Sequence, residues 1–216
     1  MERSGLLKKL ERDYQIAFLL SLFTILANLV EGAFSTILGQ QDGTLALFGF
    51  GLDSFIEVIS AIGISTMILR IARESDSPRS KFEVTALKVT GVSFYLLTAG
   101  LVLTALLNLM NNAKPETAVS GLIISLISLS VMVFLYRAKL RVGRKLNSDP
   151  IIADANCTKA CIYMSLVLLG SSLIYTLTGL AFIDTLGAIG IAWFSFGEGR
   201  EAFEKASGRE TCACSD

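Results

Sequence analysis

Apolar residues recur along this chain in six long runs separated by short polar connections. Each run is close to the roughly 20 residues that cross a hydrocarbon core about 30 Å thick. The runs are Gln15–Leu38, Leu45–Leu69, Val84–Leu109, Ala118–Tyr136, Ile151–Leu177 and Phe182–Phe203. They predict an all-α, polytopic membrane protein, a six-transmembrane-helix bundle. The first run is too long for a cleavable signal peptide, and Gly39–Thr44 offers no small-residue cleavage site. Residues 1–14 read as a cytoplasmic segment in which charge alternates with Leu6, Leu7 and Leu10. That spacing suits a short amphipathic helix on a membrane surface, or equally a solvated lead-in to the first span. The transmembrane domain is expected over 15–205 and a short tail over 206–216, with no soluble C-terminal domain.

The connections set the orientation. Arg3, Lys8, Lys9 and Arg12 precede the first run, Arg70, Arg73, Arg79 and Lys81 join the second to the third, and Arg200, Lys205 and Arg209 close the chain. Arg137, Lys139, Arg141, Arg144 and Lys145 join the fourth to the fifth, whereas the alternate connections hold only Lys114. Cytoplasmic loops carry the excess of lysine and arginine, so both termini are expected in the cytoplasm of a cell-membrane protein.

Composition agrees: 52% of the 216 residues are hydrophobic and 18% charged, against about 25% charged in soluble domains. The basic residues form short clusters between apolar runs, not one amphipathic face, which gives no sign of nucleic-acid binding. No nucleophile–base pair or cofactor motif appears, so an enzyme is not expected, and neither is a resident cofactor.

Within this apolar frame two carboxylates stand out, Asp53 and Glu57 of the second run. An ionised carboxylate at mid-bilayer costs about 2.5–3.5 kcal/mol on insertion scales and therefore faces protein, water or an ion. Four residues apart, they share one helix face, where like charges repel unless protons or a cation intervene. Gly49, Gly51 and Gly63 would let a neighbouring helix approach. The alternative is an interhelical hydrogen-bond pair or a salt bridge to an intramembrane lysine.

In the fifth run Asp154, Cys157 and Cys161 fall on one face at i, i+3 and i+7. Cysteines four apart on a helix are poorly placed for a disulfide but well placed to ligate one ion, although a buried cysteine also serves as a small apolar residue. At 1.5 Å per residue, Asp53 lies about 12 Å inside one end of its span and Cys161 about 15 Å inside the opposite end of its own. The spans are antiparallel, so both residues come near the midplane, Asp53 level with Cys161 and Glu57 with Cys157. Two oxygens and two sulfurs make a four-coordinate set suited to Zn²⁺ or Cd²⁺, and the thiolates argue against Mg²⁺ and Ca²⁺.

At these residues the chain resembles the cation diffusion facilitator family of metal/proton antiporters. Asp53-Ser54-Phe55-Ile56-Glu57 matches that family's acidic or His/Asp pair in the second span, with Glu57 where Asp is usual. The stretch from Ala153 to Cys161 matches its Ala-Asp-Ala-x-His-x-x-Ser-Asp stretch, with Cys157 replacing His and Cys161 replacing Asp, and Asp184 stands where an aspartate opens span six. The resemblance implies six spans, export of a divalent metal in exchange for protons, and a homodimer. The metal ligands it implies are Asp53, Glu57, Cys157 and Cys161, with Asp154 auxiliary. Three departures matter: the family's usual C-terminal cytoplasmic domain is missing, no histidine is present, and the cysteines shift preference toward softer ions, Cd²⁺ or Hg²⁺ beside Zn²⁺.

Other polar residues have two readings each. Lys159 lies close enough to lower a thiol pKa, or pairs with Asp154 or Glu31. Asn28 and Glu31 line a path for the ion or hydrogen-bond between helices. The tail pair Cys212 and Cys214 collects a soft ion at the inner mouth or is inert. Two rival functions stand beside metal export: an uptake carrier for mercury or a similar ion, and a non-transporting scaffold.

Overall fold

A computed structural model describes residues 2–73, 81–111, 115–180 and 182–208. Six helices account for nearly all of them: α1 Glu2–Gln41, α2 Leu45–Arg73, α3 Lys81–Asn111, α4 Val119–Leu146, α5 Asp149–Thr178 and α6 Phe182–Ala206. Residues 2–14 continue into the first span as one unbroken helix. α4 stops at Asn147, which takes the left-handed conformation (φ 46°), and α5 stops at Gly179 (φ 66°), where a missing Cβ removes the steric penalty.

Five of the helices, α1 to α5, are by themselves long and apolar enough to cross a membrane. α6 is less apolar because Asp184, Glu198, Arg200, Glu201, Glu204 and Lys205 fall within it. It nonetheless packs into the bundle against α2, α3 and α5, burying Ala188, Ile191 and Ala192 beside Leu47 and Phe50 of α2. Leu26, Phe34, Leu96, Leu103, Ile127, Phe134 and Trp193 project outward from the other faces, as expected of side chains that meet lipid.

α2 is the central helix and touches α1, α3, α5 and α6. Glycines permit the close approach of α1 and α2: a Cβ on Gly39 would stand 2.5 Å from the Phe48 backbone nitrogen, and one on Gly51 2.6 Å from the Thr36 backbone nitrogen. Serine pairs join the helices elsewhere, Ser21 to Ser65 at 2.9 Å and Ser128 to Ser165 at 3.0 Å, the polar adhesion expected where lipid supplies no hydrophobic drive between helices.

The connections alternate between two ends. At one end Glu116 N–H donates to the Asp42 carbonyl at 2.8 Å, Thr44 Oγ1 to the Thr117 carbonyl at 3.1 Å, and Tyr175 Oη to the Pro115 carbonyl at 2.5 Å. Asp184 closes the same end. Its carboxylate accepts from Leu45 N–H at 2.8 Å and Ala46 N–H at 3.2 Å, so α6 caps the first turn of α2 and sits at the positive end of its dipole. At the other end Lys145 Nζ reaches Asp13 at 2.7 Å and ties α4 to α1.

Candidate metal centre

The antiparallel crossing of α2 and α5 brings Glu57 against Cys161. Cys161 Sγ donates to Glu57 Oε1 at 2.6 Å, and from α1 Asn28 Nδ2 donates to Glu57 Oε2 at 2.9 Å. Three helices thus meet on one carboxylate. Asp53, one turn earlier on α2, turns to α6 and accepts from Ser195 Oγ at 3.1 Å. Cys157, one turn earlier on α5, faces the far end of α6, where Lys205 Nζ lies 2.7 Å from its sulfur and Glu201 Oε1 lies 3.9 Å away.

The contact made is therefore Glu57 with Cys161, not the level pairing of Asp53 with Cys161 and Glu57 with Cys157. The cause is the length of the helices: with 29 and 30 residues, α2 and α5 each run about 45 Å at 1.5 Å per residue. They do not both end at the faces of a 30 Å slab, and counting inward from each end leaves Cys161 about 3 Å from the level of either acid, so it does not fix the register.

A cavity of about 40 Å³ separates the helices here, lined by Asn28, Glu57, Cys157, Cys161 and Glu198 among others. One water needs about 10–15 Å³, so an ion fits with a small part of its hydration shell. Among the described residues, no three Cys, Asp or Glu side chains come together closely enough to hold a metal ion. Neither cysteine is in a disulfide.

The intramembrane lysine is present, but it serves another acid. Lys139, which the charge pattern assigns to a connection, is buried on α4, because that helix continues ten residues beyond Tyr136, to Leu146. Its Nζ lies 3.1 Å from Asp154 and 3.4 Å from Thr158 Oγ1, at the edge of the same cavity. Asp154 is thus an ion-pair partner. Lys159 does not pair with Asp154 or Glu31: its Nζ lies 5.6 Å from the centre of the Tyr136 ring, while Glu31 accepts from Ser54 Oγ at 2.8 Å. The lysine beside a thiol is Lys205. A two-residue offset turns Lys159 about 200° from Cys157 on a helix of 3.6 residues per turn.

Glu198 is the carboxylate that sequence reading passes over. It stands between Gly197 and Gly199 in the sixth apolar run, and the insertion cost that singled out Asp53 and Glu57 applies to it equally. The tail pair Cys212 and Cys214 lies outside the described residues.

A bundle of membrane-length helices enclosing carboxylates, thiols and an amide around a small cavity defines an integral membrane protein with a buried polar centre. The cation efflux transmembrane domain matches residues 16–208, and the chain belongs to that family of multi-pass membrane transporters, which are not enzymes. It is 28% identical over 160 residues to the manganese efflux system protein MneP of Bacillus subtilis (strain 168), a match that covers 72% of this chain and 53% of that protein. The chain spans about half the length of the curated relative it matches.

Proposed function

We propose that this chain exports a divalent metal ion from the cytoplasm, and that the ion binds at Glu57 and Cys161 with Cys157 and Asp53 close by. The observation that carries the reading is the partly buried Glu57 carboxylate, held by a thiol of α5 and an amide of α1 at the edge of a cavity. Its hydrogen-bond partners are neutral donors, so a cation arriving there meets an acid with no counter-charge in direct contact. The thiolate favours a soft ion, Zn²⁺ or Cd²⁺, with Hg²⁺ a further candidate. The Bacillus subtilis relative is named for manganese efflux, and the oxygen donors around Glu57 would suit that ion.

The ion enters from the end that bears both termini, which the basic connections assign to the cytoplasm. Binding displaces the Cys161 thiol proton now shared with Glu57, since a thiol ligand must deprotonate. Rocking of α2 and α5 relative to their neighbours then opens the site outward, and returning protons release the ion. Proton antiport follows from this exchange, and a homodimer joined within the membrane from the family resemblance. The tail pair Cys212 and Cys214 would raise the local concentration of a soft ion at the inner mouth.

Flux into proteoliposomes under a pH gradient, with Zn²⁺, Cd²⁺ and Mn²⁺ in parallel, tests the reading. At least one ion should move. Glu57→Gln and Cys161→Ala should each lower its rate about 100-fold or more, beyond the 10–100-fold typical of residues that only support ligands. Flux unchanged in both variants would remove Glu57 and Cys161 from the ion's path, and no flux of any of the three ions would leave a scaffold. Cells that lose rather than gain metal tolerance on expressing the chain would favour uptake.

A further inference from the structure

We propose that Asn28 is a metal ligand, so that α1 contributes an amide oxygen to the centre formed by Glu57 and Cys161. The proposal rests on the reading of that centre as a cation site, and it adds a helix and a donor type that the Asp53, Glu57, Cys157 and Cys161 set does not contain.

Asn28 is fully buried and lines the same cavity as Glu57 and Cys161. Its amide orientation is set by its neighbour: Nδ2 donates to Glu57 Oε2 at 2.9 Å, and the reverse assignment would press two oxygens together, one of them on a carboxylate. Oδ1 is therefore the remaining acceptor. Among the described residues it is buried without a hydrogen-bond partner. A buried acceptor left unmatched opposes folding, so its presence beside a cavity calls for a reason.

The composition of the site supplies one. Among the described residues, cysteine and carboxylate side chains do not form a cluster of three that could hold an ion. Yet Glu57 is contacted on one oxygen by Cys161 and on the other by Asn28. A cation drawn to this carboxylate therefore has a thiolate on one side and an amide on the other. Asn28 Oδ1, Glu57 and Cys161 make three donors, and Cys157 or Glu198, which line the same cavity, can complete a shell of four. A half-turn of the Asn28 amide about its Cβ–Cγ bond exchanges the N–H donor that faces Glu57 for the oxygen.

Equilibrium dialysis of Cd²⁺ against the purified full chain in detergent tests the proposal, with gel filtration to establish that each variant is folded. Asn28→Ala should weaken Cd²⁺ binding about tenfold or more, as loss of a group at a metal centre does. Asn28→Asp keeps an oxygen but loses the N–H donor to Glu57, and it should bind Cd²⁺ at least as tightly as the parent. Asn28→Asp weakened as much as Asn28→Ala would overturn the ligand role and leave Asn28 only to orient Glu57. Should Asn28→Ala fail to fold, Asn28→Asp decides alone. Glu57→Gln and Cys161→Ala serve as the reference. If these two lose Cd²⁺ while Asn28→Ala keeps it, the inference about Asn28 fails and the site at Glu57 stands. If all variants bind like the parent, both fail.

Discussion

Glu57 of α2 and Asp154 of α5 border one cavity, but different groups answer their charge. Asp154 meets Lys139 at 3.1 Å, both nearly excluded from solvent, with Thr158 completing the contact. Glu57 meets Asn28 and Cys161, which donate hydrogen bonds but carry no charge. The first arrangement is closed, because the chain brings its own cation. The second has a place for one. Asp184 provides a third case, an acid held by two backbone N–H groups at the start of α2. A carboxylate in a membrane bundle thus does not mark a transport site by its presence. The group that neutralises it distinguishes scaffold from site.

Breaking the closed pair should have the largest effect on stability. Lys139→Ala leaves Asp154 buried and uncompensated, and should destabilise the bundle by about 3–5 kcal/mol. Thermal unfolding in detergent measures this. The double variant Lys139→Met, Asp154→Leu should recover most of the loss, because an ion pair replaced whole by apolar groups is often neutral or stabilising. If the double variant unfolds as readily as the single one, Asp154 has a role beyond partnering Lys139, and the contrast with Glu57 weakens.

The capping acid should matter less. Asp184→Ala removes the acceptor for Leu45 and Ala46 N–H, and by analogy with helix caps costs about 0.5–2 kcal/mol. Its metal affinity in dialysis should stay within about threefold of the parent, since Asp184 lies at the opposite end of the bundle from Lys205 and Cys157. A loss of metal binding as large as that of Glu57→Gln would place Asp184 with the site instead.

Much of this was legible in the sequence, for physical reasons. The cost of charge in lipid singled out Asp53 and Glu57, and helical spacing put Cys157 and Cys161 on one face of α5, of which Cys161 meets Glu57 while Cys157 meets Lys205 of α6. Alternating basic connections anticipated the two ends of the bundle. Register was harder: counting 1.5 Å per residue put Cys161 about 3 Å from the level of either acid, half a helical turn. Lys139 was hidden because its burial depends on Asp154, a partner across a helix pair, while its neighbours Arg137 and Arg141 make the stretch look like a solvated connection. The Asn28–Glu57 bond joins residues 29 apart, and nothing local announces it. Glu198 is different, since the charge argument already in use would have found it.

The central claim is that the neutral contacts of Glu57 open to receive a metal ion. Titrating Cd²⁺ into the purified chain carrying Cys212→Ser and Cys214→Ser, and following the ultraviolet thiolate-to-metal absorbance, tests this most directly. The account predicts a band that saturates at one ion per chain. It should be lost or greatly reduced in Cys161→Ser and require about 100-fold more Cd²⁺ in Glu57→Gln, a factor equal to about 2.7 kcal/mol. A band of equal strength and midpoint in all three proteins would contradict it.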